Sequence, residues 1–133
     1  MIFKERYEDL LKTKDYFKTK YGNDFCIENN IINNVDVVIT GHFGNSVSLT
    51  MTCENICPIP LYNSTHNIGF ILRALIEIFD KEDDNSVSVS ALCNTPIRLV
   101  FDSENPWGGK AVAIGNFIKD RFILIEDLMK IEK

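Results

Sequence analysis

The sequence is short of positive charge. Its 133 residues include 14 lysines and arginines against 19 aspartates and glutamates, which gives a formal net charge of −5 at pH 7. A protein that binds DNA or RNA regardless of sequence needs basic residues along the phosphates. We therefore expect no direct nucleic-acid binding. The acidity is typical of a soluble protein and is also compatible with a basic protein partner.

Long apolar runs are absent as well. No stretch approaches the roughly 18 consecutive apolar residues of a membrane span. Charged side chains interrupt residues 1–21, where the apolar core of a signal peptide would have to lie. The sequence therefore predicts a cytoplasmic protein without a membrane partner, whose four cysteines are reduced.

The cysteines lack the spacing of a metal site. Cys53 and Cys57 are four residues apart, but Cys26 and Cys93 lie far from them, so the second close pair of a typical zinc site is missing. Cysteine is among the most frequently buried residue types. We interpret the four cysteines as buried thiols and predict neither a metal ion nor a cofactor.

Groups suited to catalysis are also few. Only two histidines, His42 and His66, are available as a base, and no serine lies in a G-x-S-x-G elbow. The sequence "WGGK" does not match a phosphate-binding loop, in which Gly-Lys-Ser/Thr opens a helix. The sequence therefore predicts a protein that binds rather than an enzyme.

The apolar and charged fractions, 45% and 25%, are those of an ordinary globular protein, and the length suits one domain over residues 1–133. Apolar residues at steps of three, four and seven predict an amphipathic helix over residues 3–21, with Gly22 as its C-cap. A wider apolar face predicts a mostly buried helix over 68–79, capped by Ser64 or Thr65. The aromatic stripe of the first helix should pack on a sheet, or against a second copy in a homodimer.

Two alternating segments on either side of a turn predict a β-hairpin, and this pattern occurs twice. The first hairpin comprises residues 35–40 and 47–51, and the second comprises 96–102 and 110–118, joined by the turn "SENPWGG". Other predicted elements are loops at 29–34 and 53–64, short strands at 86–92 and 121–124, and a helix at 125–131. Helices mixed with hairpins, without repeated β-α-β crossovers, predict an α+β domain. Its antiparallel sheet of two hairpins packs against two main helices, with a short C-terminal helix.

Polar and aromatic groups suited to a small anionic ligand are concentrated in the second hairpin region. Arginines and lysines would bind the anion, a tryptophan would stack on a base, and an asparagine would recognise a base edge. The candidate binding residues are Arg98, Trp107, Lys110, Asn116, Lys119 and Arg121. In the alternative interpretation, Arg98 alternates outward to solvent, Lys119 and Arg121 belong to a turn, and Trp-Gly-Gly is an ordinary hairpin turn.

The segment "TPIRLVFDSENPWGGKAVAIGNFIKDRFILIEDL", preceded by "IGFILRALIEIF", resembles a family of small uncharacterised proteins carried by phages and prophages of low-GC bacteria. The resemblance covers roughly half of the chain. In that family a leucine-rich helix precedes a "pIRvvfd … g+avaIGhFikDkfi" segment, and Asn116 stands where histidine is common. The matching residues are Arg98, Gly115, Asn116, Phe117, Lys119 and Asp120.

This resemblance implies a phage accessory protein that works in the cytoplasm of the host bacterium. Such proteins commonly act against host defence. The first hypothesis is therefore an inhibitor that blocks a defence protein, such as a CRISPR effector, by protein–protein contact. The alternative is a protein that sequesters a nucleotide second messenger, either a cyclic nucleotide or an ADP-ribose-like signal.

Overall fold

The computed structural model of the chain describes residues 8–40, 46–54, 56, 58–63, 68–81 and 89–130. Within these residues the predicted α+β class is confirmed, because six antiparallel strands form one sheet that packs against helices. The helices are α1 (Lys14–Tyr21), α2 (Ile68–Ile78) and the short α3 (Ile125–Leu128), and a 3₁₀ helix spans Val89–Leu92. The strands are β1 (Cys26–Thr40), β2 (Ser46–Cys53), β3 (Ile59–Asn63), β4 (Pro96–Phe101), β5 (Ala111–Asn116) and β6 (Phe122–Leu124). Their order in the sheet is β3-β2-β1-β4-β5-β6.

The long strand β1 joins the two hairpins into one sheet. Its first part pairs with β4 from Cys26 to Ile31, and its second part pairs with β2 as far as Thr40. A bulge between Ile32 and Asn34 lies where the pairing changes partner. Bulges bend a strand and increase its twist, so β1 can serve two differently oriented neighbours.

The loop predicted at residues 29–34 is wrong, because β1 runs through it. Asn30 stabilises the extended chain with its own side chain. Its Nδ2 donates a hydrogen bond to the Glu54 carbonyl (3.1 Å), and its Oδ1 accepts one from the Ile31 amide (2.8 Å). Asparagine usually indicates a turn, but here its amide replaces a missing strand partner.

The larger core lies between one face of the sheet and α2. Strands β4 and β5 contribute Ile97, Leu99 and Ile114, and α2 contributes Ile71 and Leu75, all fully buried. The predicted helix over 68–79 is confirmed as a buried helix.

A smaller core lies on the opposite face of the sheet. Val100, Ala113 and Phe122 point away from α2, because successive side chains of a strand alternate between faces, and they pack against Phe17 of α1. The two main helices therefore cover opposite faces, and β4, β5 and β6 are buried on both sides.

The predicted helix over 3–21 is not continuous in the described residues, where residues 9–13 are not helical. Helix α1 begins at Lys14, while Lys12 forms an isolated bridge with Phe122 through two backbone hydrogen bonds of 2.7 and 2.9 Å. These bonds extend the sheet beyond β6 and compete with a helix at this point. The predicted C-cap is confirmed, since Gly22 has φ of 64° and its amide donates to the Lys18 carbonyl. The predicted helical residues 3–7 lie outside the described part of the chain.

Three other predicted segments differ in detail. The connector predicted at 53–64 contains β3, an edge strand that tolerates Pro60 because its N–H side needs no partner. Residues Val89–Leu92 form a 3₁₀ helix instead of part of a strand, and the last helix ends at Leu128. The predicted first-hairpin turn and the Ser64 and Thr65 caps lie outside the described residues.

No helix in the described part of the chain has both the length and the apolarity needed to cross a membrane.

Candidate functional site

Arg98 is a buried structural residue that faces the smaller core. Only 8% of its surface is exposed. Its Nε donates to the Asn116 carbonyl (2.8 Å) and its Nη2 to the Lys119 carbonyl (2.6 Å), while the guanidinium lies 4.9 Å from the centre of the Phe122 ring. Its donors therefore hold the turn between β5 and β6 in place.

Asn116 holds the same turn from the other side of the sheet. Its Nδ2 donates to the Ile78 carbonyl (2.8 Å) and to Asp80 Oδ2 (3.0 Å). Its Oδ1 accepts hydrogen bonds from the amides of Ile118 (2.8 Å) and Lys119 (2.9 Å). The side-chain amide thus links the end of α2 to the turn between β5 and β6.

The end of α2 also binds Lys119 and Arg121. Arg121 Nη2 donates to the carbonyls of Glu77 (2.8 Å) and Ile78 (3.0 Å), which are among the last carbonyls of the helix. Lys119 Nζ lies 2.9 Å from Asp80 Oδ2, and Arg121 Nη2 lies 3.2 Å from Asp80 Oδ1. Basic groups are favourable here, because the last carbonyls of a helix lack helical partners and carry partial negative charge.

Asp80 completes this cluster in an unusual backbone conformation. Its φ is 58°, and it occupies the position after the helix where glycine is common. The hydrogen bond from Lys119 lowers the pKa of the Asp80 carboxyl below its ordinary value, and the charges of Arg121 and Lys119 add to this effect. Burial acts in the opposite direction.

Four of the six candidate binding residues therefore gather around the turn between β5 and β6. They are Arg98, Asn116, Lys119 and Arg121. Their hydrogen bonds and ion pairs hold this turn and join it to the end of α2. Arg98 faces the smaller core and Arg121 faces the end of α2, so the two arginines do not meet in one hollow.

Trp107 and Lys110, the other two candidates, lie in the hairpin between β4 and β5. The hairpin turn is held by Asp102, whose Oδ1 accepts a hydrogen bond from the Lys110 amide (2.8 Å). A Cβ atom on Gly109 would lie 2.6 Å from the same oxygen, so only glycine fits there. The Trp107 side chain is left 77% exposed at the tip.

Two hollows flank Trp107. The larger has a volume of about 610 Å³ and the smaller about 480 Å³. Both are lined by Ile56, Phe101, Pro106 and Trp107. We call Trp107 and these two hollows together the Trp107 surface.

Distant parts of the chain build this surface. The larger hollow also receives side chains from the end of α1, from the connector before β3 and from α3, namely Lys20, Tyr21, Pro58, Glu126 and Met129. The smaller hollow also receives Glu28, Ile31, Glu54, Pro96 and Phe117. Sequence reasoning identified Trp107 and Lys110 here and missed the others. Among the missed residues, Met129 and Phe117 are exposed apolar side chains in the structure, but their exposure is not visible in the sequence and single exposed apolar residues are common.

The rim of the Trp107 surface is more acidic than basic. Four carboxylates line the hollows, those of Glu28, Glu54, Asp102 and Glu126, against the ammonium groups of Lys20 and Lys110. The centre between them is apolar and aromatic. The surface therefore suits an apolar group with positive charge beside it.

In the described residues, no three His, Cys, Asp or Glu side chains lie together as possible ligands of a metal ion. Cys53 is buried, as predicted, and burial raises the pKa of its thiol to about 12. Cys26 and Cys93 are only partly buried, and Cys57 lies outside the described residues. The Cys53 thiol therefore stays protonated at neutral pH and is a poor nucleophile.

Comparisons with known proteins give no relative from which a function could be transferred. No protein-family model, no curated protein and no solved structure matches this chain.

Proposed function

We propose that this chain is a non-enzymatic binding protein that acts by contact with another protein through the Trp107 surface. The observation that carries the proposal is a tryptophan exposed over 77% of its surface between two hollows with apolar centres. Tryptophan is among the residues that dominate binding energy at protein interfaces. Exposed apolar surface surrounded by polar residues is typical of such contacts.

The resemblance of the C-terminal half to phage-borne proteins narrows the partner. We propose a bacterial defence protein, such as a CRISPR effector, which the chain would inhibit in the host cytoplasm. Effectors that handle nucleic acids carry basic surfaces, because they must contact phosphates. The acidic rim around Trp107 complements such a surface.

The experiment mixes the purified chain with candidate CRISPR effector complexes and follows co-elution on size exclusion. We expect co-elution with one complex and its loss in Trp107→Ala, because an interface tryptophan contributes about 2 kcal/mol or more, roughly 30-fold in affinity. The folded state of this variant should be unaffected, with a change of unfolding free energy below about 0.5 kcal/mol.

Ile118→Ala is the matched control. Ile118 is 85% exposed and lines neither hollow, so its removal should leave co-elution unchanged. If no effector co-elutes, and the chain protects no phage in cells that carry those systems, the proposal is wrong. Equal losses in both variants would contradict the role of the Trp107 surface.

A second candidate is the sequestration of a nucleotide signal in the larger hollow. Its volume lies within the range of small-molecule sites, and Trp107, Tyr21, Lys20 and Lys110 line it. Thermal shift with cyclic nucleotides and ADP-ribose tests this candidate, since a ligand at 100 times its Kd adds about 2.7 kcal/mol of stability. A shift that Trp107→Ala abolishes would favour it over the protein partner, and no shift with any of them would remove it.

A further inference from the structure

The second half of β1 has a strand neighbour on only one side. Strand β4 pairs with β1 no further than Ile31, opposite Pro96. Beyond that point Ile32 exchanges backbone hydrogen bonds with Thr95 (3.0 Å) and Asn94 (2.7 Å). From residue 36 to residue 40, no strand among the described residues pairs with this edge, while β2 occupies the other.

Such an edge presents unpaired backbone N–H and C=O groups and is a template for another strand. Natural edges are usually protected by lysine, proline or a bulge. Residues 36–40 contain one charge, Asp36, and no proline, and the bulge of β1 lies earlier, between Ile32 and Asn34. Apart from the charge of Asp36, residues 36–40 therefore carry none of these protective features themselves.

The side chains of this segment are apolar on both faces. Val37, Val38 and Ile39 are exposed by 45%, 48% and 66%. Successive side chains alternate between the two faces of a strand, so Val37 and Ile39 lie on one face and Val38 on the other. Both faces of residues 36–40 therefore carry apolar side chains. A strand added at this edge would bury apolar side chains above and below it.

We propose that this edge binds a second copy of the chain, with residues 36–40 of the two copies pairing antiparallel about a two-fold axis at Val38. In this register Val38 faces Val38, Val37 faces Ile39, and Asp36 faces Thr40 across the interface. Apolar residues meet apolar residues, and the two Asp36 carboxylates stand at opposite ends of the pairing. A register centred on Asp36 would set the two carboxylates against each other, which is unfavourable.

The charge of the segment argues for a second copy as the occupant. A segment with a single carboxylate offers a foreign strand little to recognise by charge. Pairing about Val38, by contrast, gives both copies the same backbone hydrogen bonds and the same apolar contacts. Self-complementary contacts of this kind produce closed two-fold dimers. Five paired residues per copy is a common strand length.

This dimer edge is separate from the Trp107 surface. The part of β1 that lines the smaller hollow ends at Ile31, and the pairing begins at Asp36. The two proposals share no residue and can fail independently.

The test measures molar mass by light scattering over a wide range of concentrations. We expect a dimer mass for the wild-type chain at high concentration, and at least about a tenfold weaker dimer for Val38→Lys and for Val38→Glu. The reason is that each substitution places two like-charged side chains at directly opposed positions, whose Cβ atoms lie about 5 Å apart. Circular dichroism checks that both variants are folded.

Mixing the two variants gives the sharper result. V38K and V38E together should regain the dimer mass, because opposite charges then face each other at the axis. Ile118→Lys is the control and should keep the wild-type mass, since Ile118 lies in the turn between β5 and β6, outside the paired segment. A wild-type chain that stays monomeric at every concentration overturns the proposal. So does an unchanged dimer in V38K, or a mixture that remains monomeric.

Discussion

Arg98, Gly115 and Phe122 lie in register on three neighbouring strands. Arg98 pairs with Gly115, and Gly115 pairs with Phe122. The Phe122 ring lies over Gly115 and reaches the Arg98 guanidinium, 4.9 Å from the ring centre. Gly115 is therefore needed because a side chain at this position would collide with the Phe122 ring, and not because of its backbone freedom.

We expect Gly115→Ala to destabilise the protein by about 1–3 kcal/mol, the usual effect of forcing an atom into a packed site. The new Cβ would lie 2.8 Å from Phe122 Cγ and nearer still to Cδ2 and Cε2. Urea unfolding followed by circular dichroism measures the change.

Two further variants separate this contact from a general effect of alanine. Gly69→Ala places its methyl group in open space on α2 and should be neutral or slightly stabilising. In a Phe122→Leu background Gly115→Ala should cost less, because the ring is gone. An equal cost in both backgrounds would show that the ring is not the obstacle.

The sequence predicted that Arg98 alternates with the apolar residues of its strand, but not what it faces. Alternation predicts on which face of the strand a side chain lies, but it does not predict what covers that face. Solvent and a ligand were both consistent with the pattern. In the fold, α1 packs on this face beside Phe122, and the carbonyls of Asn116 and Lys119 take up the arginine donors. Those contacts come from residues far from Arg98 in sequence, so local periodicity could not reveal them.

At the scale of elements, α1 is capped by a residue from the other end of the chain. The Lys14 amide donates to Asp120 Oδ1 (2.8 Å), whereas Thr13, the residue before the helix, makes no side-chain cap. The carboxylate also lies at the positive end of the helix dipole. One residue of the turn between β5 and β6 therefore positions the first helix.

We expect Asp120→Ala to cost about 0.5–2 kcal/mol of unfolding free energy, the usual effect of losing an N-cap acceptor. Thr13→Ala, one position before the helix, should change it by less than about 0.5 kcal/mol. Asp120→Asn keeps an acceptor oxygen and should recover part of the loss. Urea titrations of the three variants give the comparison, and a Thr13→Ala loss as large as that of Asp120→Ala would contradict the assignment.

The elements that the sequence predicted well are those in which the local apolar periodicity agrees with the contacts made in the fold. The buried helix over 68–79 and the second hairpin have strong periodicity and lie where that periodicity indicates. The first helix and the loop at 29–34 were predicted less well, because backbone hydrogen bonds to Phe122 and side-chain bonds of Asn30 override the local preference. The overriding contacts include bonds between distant residues, from Asn30 to Glu54, 24 positions apart, and from Lys12 to Phe122.

At the scale of the whole molecule, Asp80 joins α2 to the last hairpin, so its ionisation should affect global stability. Its pKa is lowered by the fold from its ordinary value of 3.8, chiefly by the Lys119 hydrogen bond. A carboxyl group with a depressed folded-state pKa stabilises the protein above its unfolded pKa. This contribution is lost as the pH falls through the folded value. The wild type should therefore lose stability below about pH 4 through this group.

Asp80→Asn isolates the effect, since asparagine also tolerates the positive φ at this position. Wild type and variant should differ in unfolding free energy by a constant amount from neutral pH to about pH 5, and the difference should shrink at lower pH. Denaturant titrations across the acid range measure it. A difference that stays the same down to pH 2 would show that the Asp80 carboxylate is not the group responsible.

The candidate site was predictable only in part, for reasons of long-range geometry. A single tryptophan next to Gly-Gly marks a hairpin tip in the sequence, and Trp107 does lie there. The walls of the hollows come from α1, from the connector before β3 and from α3. Which of these segments meet at Trp107 depends on the position of β1 and β4 at the centre of the sheet, and no motif encodes that position.

The contacts between the first helix and the last hairpin also bear on how the chain acquires its fold. Lys14 and Asp120 are 106 residues apart, and Lys12 pairs with Phe122 across a similar distance. During synthesis from the amino terminus, α1 emerges early but has neither its Asp120 cap nor its Phe122 contact until the turn between β5 and β6 and strand β6 have been made. Contacts of such high sequence separation slow folding, because a long loop must close before they form. Until β6 has been made, Phe17 of the nascent helix is only partly covered and is open to aggregation.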